Sequence, residues 1–226
     1  MTYHFDWGYV LTSLPKFQGA VLLTLQVFFC ALLISTSGAI VMAMLSRSGS
    51  KLIHGLLSAF SWLFRGLPEL IVLLFAFLAL PNLGVDISSF WAAVVGLAAI
   101  SMAYEYEIFR GALTAIPPQQ FEAARALGMR PMLMYRRVIG PQVMRVAVAP
   151  YLTFACTSLK RTSVTSSIAV LEIMGFTRRL IDVQQKPFEL MLIAMVLYAA
   201  LSSLIMILEI LVRRHYSISQ NHTAGA

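Results

Sequence analysis

Gly19-Ala-Val-Leu-Leu-Thr-Leu-Gln-Val-Phe-Phe-Cys-Ala-Leu-Leu-Ile-Ser-Thr-Ser-Gly-Ala-Ile-Val-Met-Ala-Met-Leu45 is a run of 27 residues without one charged side chain. A bilayer core about 30 Å thick needs roughly 20 apolar residues at 1.5 Å of helix rise each, so this run spans a membrane with some tilt. Its flank carries Asp6 and a single Lys16, and the run is too long for a cleaved leader. The remainder of the chain agrees. Of 226 residues, 59% are hydrophobic and 12% charged, and the mean hydropathy is +0.79. Too little polar surface remains to cover such a core in water, which excludes a soluble enzyme and a disordered chain. Cys30 and Cys156 both sit in apolar runs, so no disulfide framework or metal spacing is present.

Working outward, four further spans follow. Residues 56–80 are apolar except for Arg65-Gly66-Leu67-Pro68-Glu69 near the middle, which predicts a helix broken at Pro68 or one facing a protein or water-filled interior. Spans at 88–109, at 146–175 with a break near 160–163, and at 190–212 complete the count. The longest stretch outside them is the polar loop 110–145. Five spans place the termini on opposite sides. Ten Lys and Arg residues fall on the side of that loop and four on the other, with Arg65, Lys160 and Arg161 at undecided depth. The positive-inside rule then predicts the N-terminus outside and the C-terminus in the cytoplasm.

Within the loop, Pro117-Pro118-Gln-Gln-Phe-Glu122-Ala123-Ala124-Arg125-Ala126-Leu127-Gly128-Met129-Arg130-Pro131 reads as a short helix, a tight turn and a second helix. Gly128 suits the left-handed position just past a helix end, and Pro131 suits a first turn. Ala123 and Ala124 leave a bare face for close approach by another surface. That is what a docking elbow requires.

Here the chain resembles the permease subunits of binding-protein-dependent ABC importers, in their polar amino acid branch. Glu122-Ala123-Ala124, Gly128 and Pro141 match the EAA loop of that family. Its closing Ile-x-Leu-Pro is altered here to Val138 and Gly140 before Pro141. Arg65-Gly66-Leu67-Pro68-Glu69, Glu107-Ile108-Phe109-Arg110-Gly111-Ala112-Leu113, Ala126-Leu127-Gly128-Met129, and Lys160 with Thr162-Ser163 extend the similarity over about residues 18–212. Arg161 stands where the family usually has an acid or amide.

The resemblance implies an all-α permease of type I importer architecture, whose loop docks on a separate ATP-hydrolysing subunit through Glu122, Ala123, Ala124 and Gly128. ATP and magnesium belong to that partner, because no phosphate-cradling Gly-x-x-x-x-Gly-Lys-Ser/Thr exists in this chain. It implies three further partners: a sister permease or second copy, an external amino-acid-binding protein, and a polar amino acid as cargo. Nothing points to nucleic acid, metal or a resident cofactor.

For the substrate path the candidates are Glu69, Glu105, Arg65, Lys160, Thr162 and Ser163. Arg65 and Glu69, four apart, can instead pair with each other, and Glu107 with Arg110 is read as a structural pair. Glu69 and Glu105 favour a basic substrate, with glutamine or glutamate as the alternative. Arg178, Arg179 and Lys186 form an external basic group that meets the binding protein or is simply solvated. A reading of another class, an ATP-independent secondary transporter or channel, stays open at this point.

Overall fold

A computed structural model describes residues 4–223, with side chains described as far as Arg214. Helix α1 (Trp7–Ser13) and a 3-10 turn (Leu14–Phe17) lead into α2 (Gln18–Leu45). Then come α3 (Lys51–Gly66), α4 (Glu69–Asn82), α5 (Ser89–Thr114), the short α6 (Pro118–Ala126) and α7 (Pro131–Met134). A π turn (Tyr135–Ile139), α8 (Gly140–Arg161), a 3-10 segment (Thr162–Ile168), α9 (Ile173–Gln184) and α10 (Pro187–Thr223) finish the chain. The stretches Trp7–Leu45, Ser89–Thr114, Pro131–Ile168 and Pro187–Arg214 are each long and apolar enough to cross a membrane. The pair α3 and α4 makes a fifth if it counts as one, although it is bent by 103°.

Packing shows where the bent pair runs. Ala39 and Ala43 near the end of α2 pack with Tyr106, Phe109 and Ala112 late in α5, and with Phe121 and Ala124 of α6. Val27 and Ala31 earlier in α2 pack instead with Leu73 and Ala76 of α4, the start of α5, and Ile168. So α2 finishes at the α6 end of the bundle, while α5 starts at the opposite end. Leu57 of α3 lies on the first cluster and Leu80 of α4 on the second. The bent pair therefore carries the chain from one end to the other.

Small residues line the α2–α5 seam: Ala31, Ser35, Ala39 and Ala43 are all buried. In lipid no hydrophobic force drives helices together, so close packing of small side chains and interhelical hydrogen bonds carry association. Helices also outlast the apolar runs that announced them. α5 continues to Thr114 and the helical path into α8 starts at Pro131, both inside the expected loop 110–145. Hydropathy marks where apolar contact ends rather than where the hydrogen-bond ladder ends.

The break expected near residues 160–163 is present as a change of helix type. Thr162, Ser163, Thr165 and Ser166 each donate a side-chain hydroxyl to the carbonyl three residues back, at 2.7–2.8 Å. These bonds favour the tighter 3-10 spacing over the α ladder. Ala169 then takes a left-handed φ of 62°, and Glu172 caps α9 through the amides of Met174 and Gly175.

Candidate functional site

The elbow at the α6 end forms from local signals. Pro118 opens α6, where a missing N–H has no intrahelical partner to lose. Gly128 at φ 70° ends it, with its N–H on the Arg125 carbonyl and the Met129 N–H on the Ala124 carbonyl. Those two bonds form a Schellman closure, which only glycine or asparagine adopts without cost. Phe121 and Ala124 are buried against the bundle, whereas Glu122 and Ala123 are exposed. The bare face is thus Glu122–Ala123, and Ala124 instead lets α6 lie close on its own chain. Leu127, at 81% exposure, projects beside them. Sequence reading passed over it because a leucine at a helix end looks like core.

The second constellation lies at the junction of α3 and α4. Leu67 precedes a proline and is pushed out of the helical region, and Pro68 is itself extended, so the helix breaks here. Arg65 sits in the last turn of α3 and Glu69 opens α4, each favourable to the dipole of its own helix. The break also separates them. Glu69 pairs with Arg161 at the end of α8 (Oε1–Nε 2.8 Å), and Arg65 pairs with Glu107 of α5 at 3.6 Å. The pair expected between Arg65 and Glu69 is therefore corrected, because helical i,i+4 spacing does not survive the 103° bend. The Glu107–Arg110 pair is present at 2.6 Å.

Tyr104 holds the centre of this group. Its ring stacks on Phe154, and the Arg161 guanidinium lies 4.8 Å and that of Arg65 5.7 Å from its centroid. Arg161 is mostly buried, and its Nη1 has no hydrogen-bond partner. Lys160, the preceding residue of α8, is exposed, with no carboxylate at ion-pair distance among the described residues. A guanidinium half occupied by Glu69, a neighbouring ammonium and a part-exposed carboxylate offer complementary contacts to a group bearing both charges. Neither Arg161 nor Tyr104 was singled out from sequence as part of the path. Their partners come from other helices, and no local spacing reveals that.

The remaining candidates lie elsewhere. Glu105 is fully buried in the α2–α5 seam, accepting from Ser35 Oγ at 3.0 Å, with its second oxygen unpartnered. It shows no surface to a substrate in this conformation, where it makes a buried polar contact between spans. The Thr162 hydroxyl is buried and committed to the Leu159 carbonyl; that of Ser163 is bound to Lys160. Both shape the chain and do not present free donors.

At the other end of the bundle, Arg178 and Arg179 are exposed on α9. Lys186 is not free like them. Its Nζ donates to Asp6 Oδ2 at 2.6 Å and lies 4.4 Å from the Tyr9 ring, clamping α1 to the start of α10. This bond holds the Asp6 carboxyl below its ordinary 3.8 and raises Lys186 above its ordinary 10.5. The Asp6 contribution is complete above pH 3.8 and lost as the pH falls through the depressed native value. That of Lys186 is complete below 10.5 and lost as the pH rises through the raised native value. Opening of α1 by amide exchange is accordingly expected to stay constant from about pH 5 to about pH 9. Asp6→Asn keeps the N-cap acceptor to Tyr9 but loses the ion pair, and should speed exchange throughout that window. Identical exchange in the variant would dismiss the clamp.

Comparison with known proteins follows the same lines. Residues 35–217 match the family described as "Binding-protein-dependent transport system inner membrane component". A probable amino-acid permease of Bacillus subtilis, YxeN, is 29% identical over 94% of this chain and 96% of its own length. The arginine transport system permease ArgU of Corynebacterium glutamicum is 30% identical over 77% of this chain and 60% of its own. Among solved structures, one described as an amino acid ABC transporter with histidines superposes with a TM-score of 0.85. It is 28% identical and covers 94% of this chain and all of the other. The methionine transporter MetNI, at 19% identity and a TM-score of 0.71, shares the fold. The family match across residues 35–217 excludes a self-sufficient secondary transporter or channel. The chain belongs to the binding-protein-dependent inner membrane components and is the multi-pass permease subunit of an ABC importer, whose ATPase is a separate subunit.

Proposed function

We propose that this permease imports a polar amino acid, preferably a basic one, by alternating access driven by ATP turnover on its partner. One observation carries the reading. The break at Pro68 brings Glu69 onto Arg161, whose Nη1 is buried and unpartnered, beside the exposed Lys160. A substrate carboxylate meets Lys160 and, once the alternating-access movement uncovers it, Arg161 Nη1, which is shielded in this conformation, while its ammonium or a cationic side chain takes the outer face of Glu69. Arg65 and Tyr104 complete the wall. The curated permeases for arginine and, in Agrobacterium fabrum, for nopaline support a cargo of this kind. A second reading draws on the charges themselves. Arg65, Arg110, Lys160 and Arg161 outnumber Glu69 and Glu107, which favours a cargo with a second carboxylate such as glutamate.

In this proposal the chain crosses the cytoplasmic membrane five times, the α6 end and the C-terminus face the cytoplasm, and the N-terminus lies outside. The ATPase subunit receives Glu122, Ala123 and Leu127. A sister permease or second copy forms the other half of the pore. Arg178 and Arg179 meet acidic groups on the external binding protein. The double variant Arg178→Glu/Arg179→Glu is expected to weaken that coupling roughly tenfold at low salt and less at high salt, since exposed charges are screened. Salt-independent uptake unchanged from the native protein would reject this contact.

The main test uses the assembled complex in liposomes with its binding protein. Labelled arginine, lysine, histidine, glutamine and glutamate are each supplied with and without ATP. Preference for the cationic amino acids supports the first reading; preference for glutamate supports the second. Uptake of none above an ATP-free control would overturn both.

A further inference from the structure

A cavity of about 300 Å³ opens between α2, α5 and α8 at the α6 end of the bundle. Its wall is almost wholly apolar: Ile40, Met44, Leu113, Val143, Ala147 and Val148 are among the lining residues. At its inner end the hydroxyls of Thr36 and Tyr151 are 2.8 Å apart and satisfy each other. From Met44 to Thr36 is two turns of α2, so the slot is about 12 Å deep at 1.5 Å per residue.

The slot exists because of a backbone irregularity. Residues Tyr135–Ile139 form a π turn, and Gly140 follows it on the wall of the cavity. A Cβ on Gly140 would lie 2.4 Å from the Tyr135 carbonyl oxygen, so only glycine lets α8 leave the turn along this path. π turns insert one residue and swing the flanking side chains sideways. Here the turn leaves Tyr135 and Gly140 lining one side of an open groove, with no bulky side chain from Gly140 to fill it.

Cations adjoin the lining segments in the chain. Arg136 and Arg137 lie within the π turn, one turn before the lining face of α8, and both are exposed. Arg47 follows the lining residues of α2 by one turn and rests on the Phe121 ring at 4.8 Å. Among the described residues none of these three arginines is in an ion pair, whereas Arg65, Arg110, Arg161 and Arg213 each hold a carboxylate. An apolar slot walled by membrane-spanning helices, with unpaired arginines one turn beyond its lining residues, matches one occupant: a diacyl lipid with an anionic phosphate head. Phosphate contacts satisfy the arginines, and an acyl chain fills the slot in place of a void.

We propose that this cavity is a binding site for an anionic phospholipid of the leaflet that meets the α6 end, with one acyl chain between α2 and α8 and its phosphate held by Arg136, Arg137 and Arg47. The inner-leaflet assignment rests on the orientation proposed above, but occupancy does not. In nanodiscs both leaflets have one composition, so lipid binding is read whichever way the chain points.

The test uses the assembled complex in nanodiscs and a tryptophan reporter, Met144→Trp, on the cavity wall, read as the difference from the same complex without it, because Trp7, Trp62 and Trp91 are themselves exposed. Brominated phosphatidylglycerol and brominated phosphatidylcholine are compared as quenchers at equal mole fraction. The expected result is about tenfold tighter quenching by phosphatidylglycerol at low salt. Arg136→Gln/Arg137→Gln in the reporter background should bring the two lipids to within about twofold of each other. Val143→Phe should weaken quenching by both, since it fills the slot without touching the π turn. Gly140→Leu makes the same prediction but strains the backbone, so Val143→Phe decides. Equal quenching by the two lipids in the reporter protein would overturn the proposal. So would a preference that the arginine variant leaves intact, or a cavity sealed to both lipids by the sister chain. Orientation is read separately, by labelling of a Leu127→Cys variant from either side of intact cells.

Discussion

Arg161→Ala is expected to reduce ATP-driven uptake by roughly 10- to 100-fold, with only a modest fall in thermal stability of the complex. A hydrogen bond to a charged group contributes about 1.5–3 kcal/mol, and each 1.4 kcal/mol is a factor of ten. The side chains of Arg161 and Glu69 are 17% and 27% exposed, so water reaches the carboxylate that the substitution leaves behind. That moderates the structural penalty. It does not replace the buried Nη1, which in our reading meets the substrate carboxylate. Arg161→Lys separates the two contributions. Lysine keeps the charge on Glu69 but has no second planar nitrogen, so stability should recover and uptake should not. Uptake restored by lysine to the native level would show that only the charge matters and would remove the carboxylate contact. Glu69→Gln gives the complementary result. It is expected to lower the preference for cationic over neutral amino acids while leaving the anionic part of recognition in place.

The legibility of these features in the sequence follows how far apart their parts lie. The elbow was readable because Pro118, Gly128 and Pro131 each act on their own backbone within fourteen positions. The helix breaks follow from equally local causes: Pro68 and the hydroxyl run after Lys160 act on their own backbone. Pairing was not readable. Arg65 has Glu69 four residues away and Glu107 on another helix, and it takes the second because the chain bends between the first two. Glu105 stood among the substrate-path candidates, yet Ser35 reaches it from 70 residues away. Lys186 looked like one of three surface cations until Asp6, at the far end of the chain, closed on it. Charge partners across a helical bundle depend on helix rotation, and hydropathy alone carries almost no information about rotation in a span that is apolar all round.

Substitutions at Gly128 are expected to grade transport by what each residue costs in the left-handed region. The φ of 70° is open to asparagine with little strain, costs an alanine about 1 kcal/mol, and costs a β-branched valine more. No heavy atom lies within 4 Å of a Cβ at this position, so packing does not confuse the series; only backbone conformation changes. Gly128→Asn should therefore transport near the native rate, Gly128→Ala at a reduced rate, and Gly128→Val at roughly a hundredth of it. The loss arises through placement. Without the Schellman closure the Met129 N–H no longer reaches the Ala124 carbonyl, α6 frays from its C-terminal end, and Glu122, Ala123 and Leu127 leave their common face. The decisive readouts are retention of the ATPase subunit on purification and stimulation of ATP hydrolysis by the loaded binding protein. Both should fall in the order asparagine, alanine, valine, while the isolated permease keeps its melting temperature to within a few degrees, since α6 contributes only Phe121 and Ala124 to the core. Ala123→Trp should reproduce the valine phenotype without any backbone strain, by obstructing the proposed docking face itself. A valine variant that couples normally would mean that the elbow is not read by the ATPase subunit in this geometry.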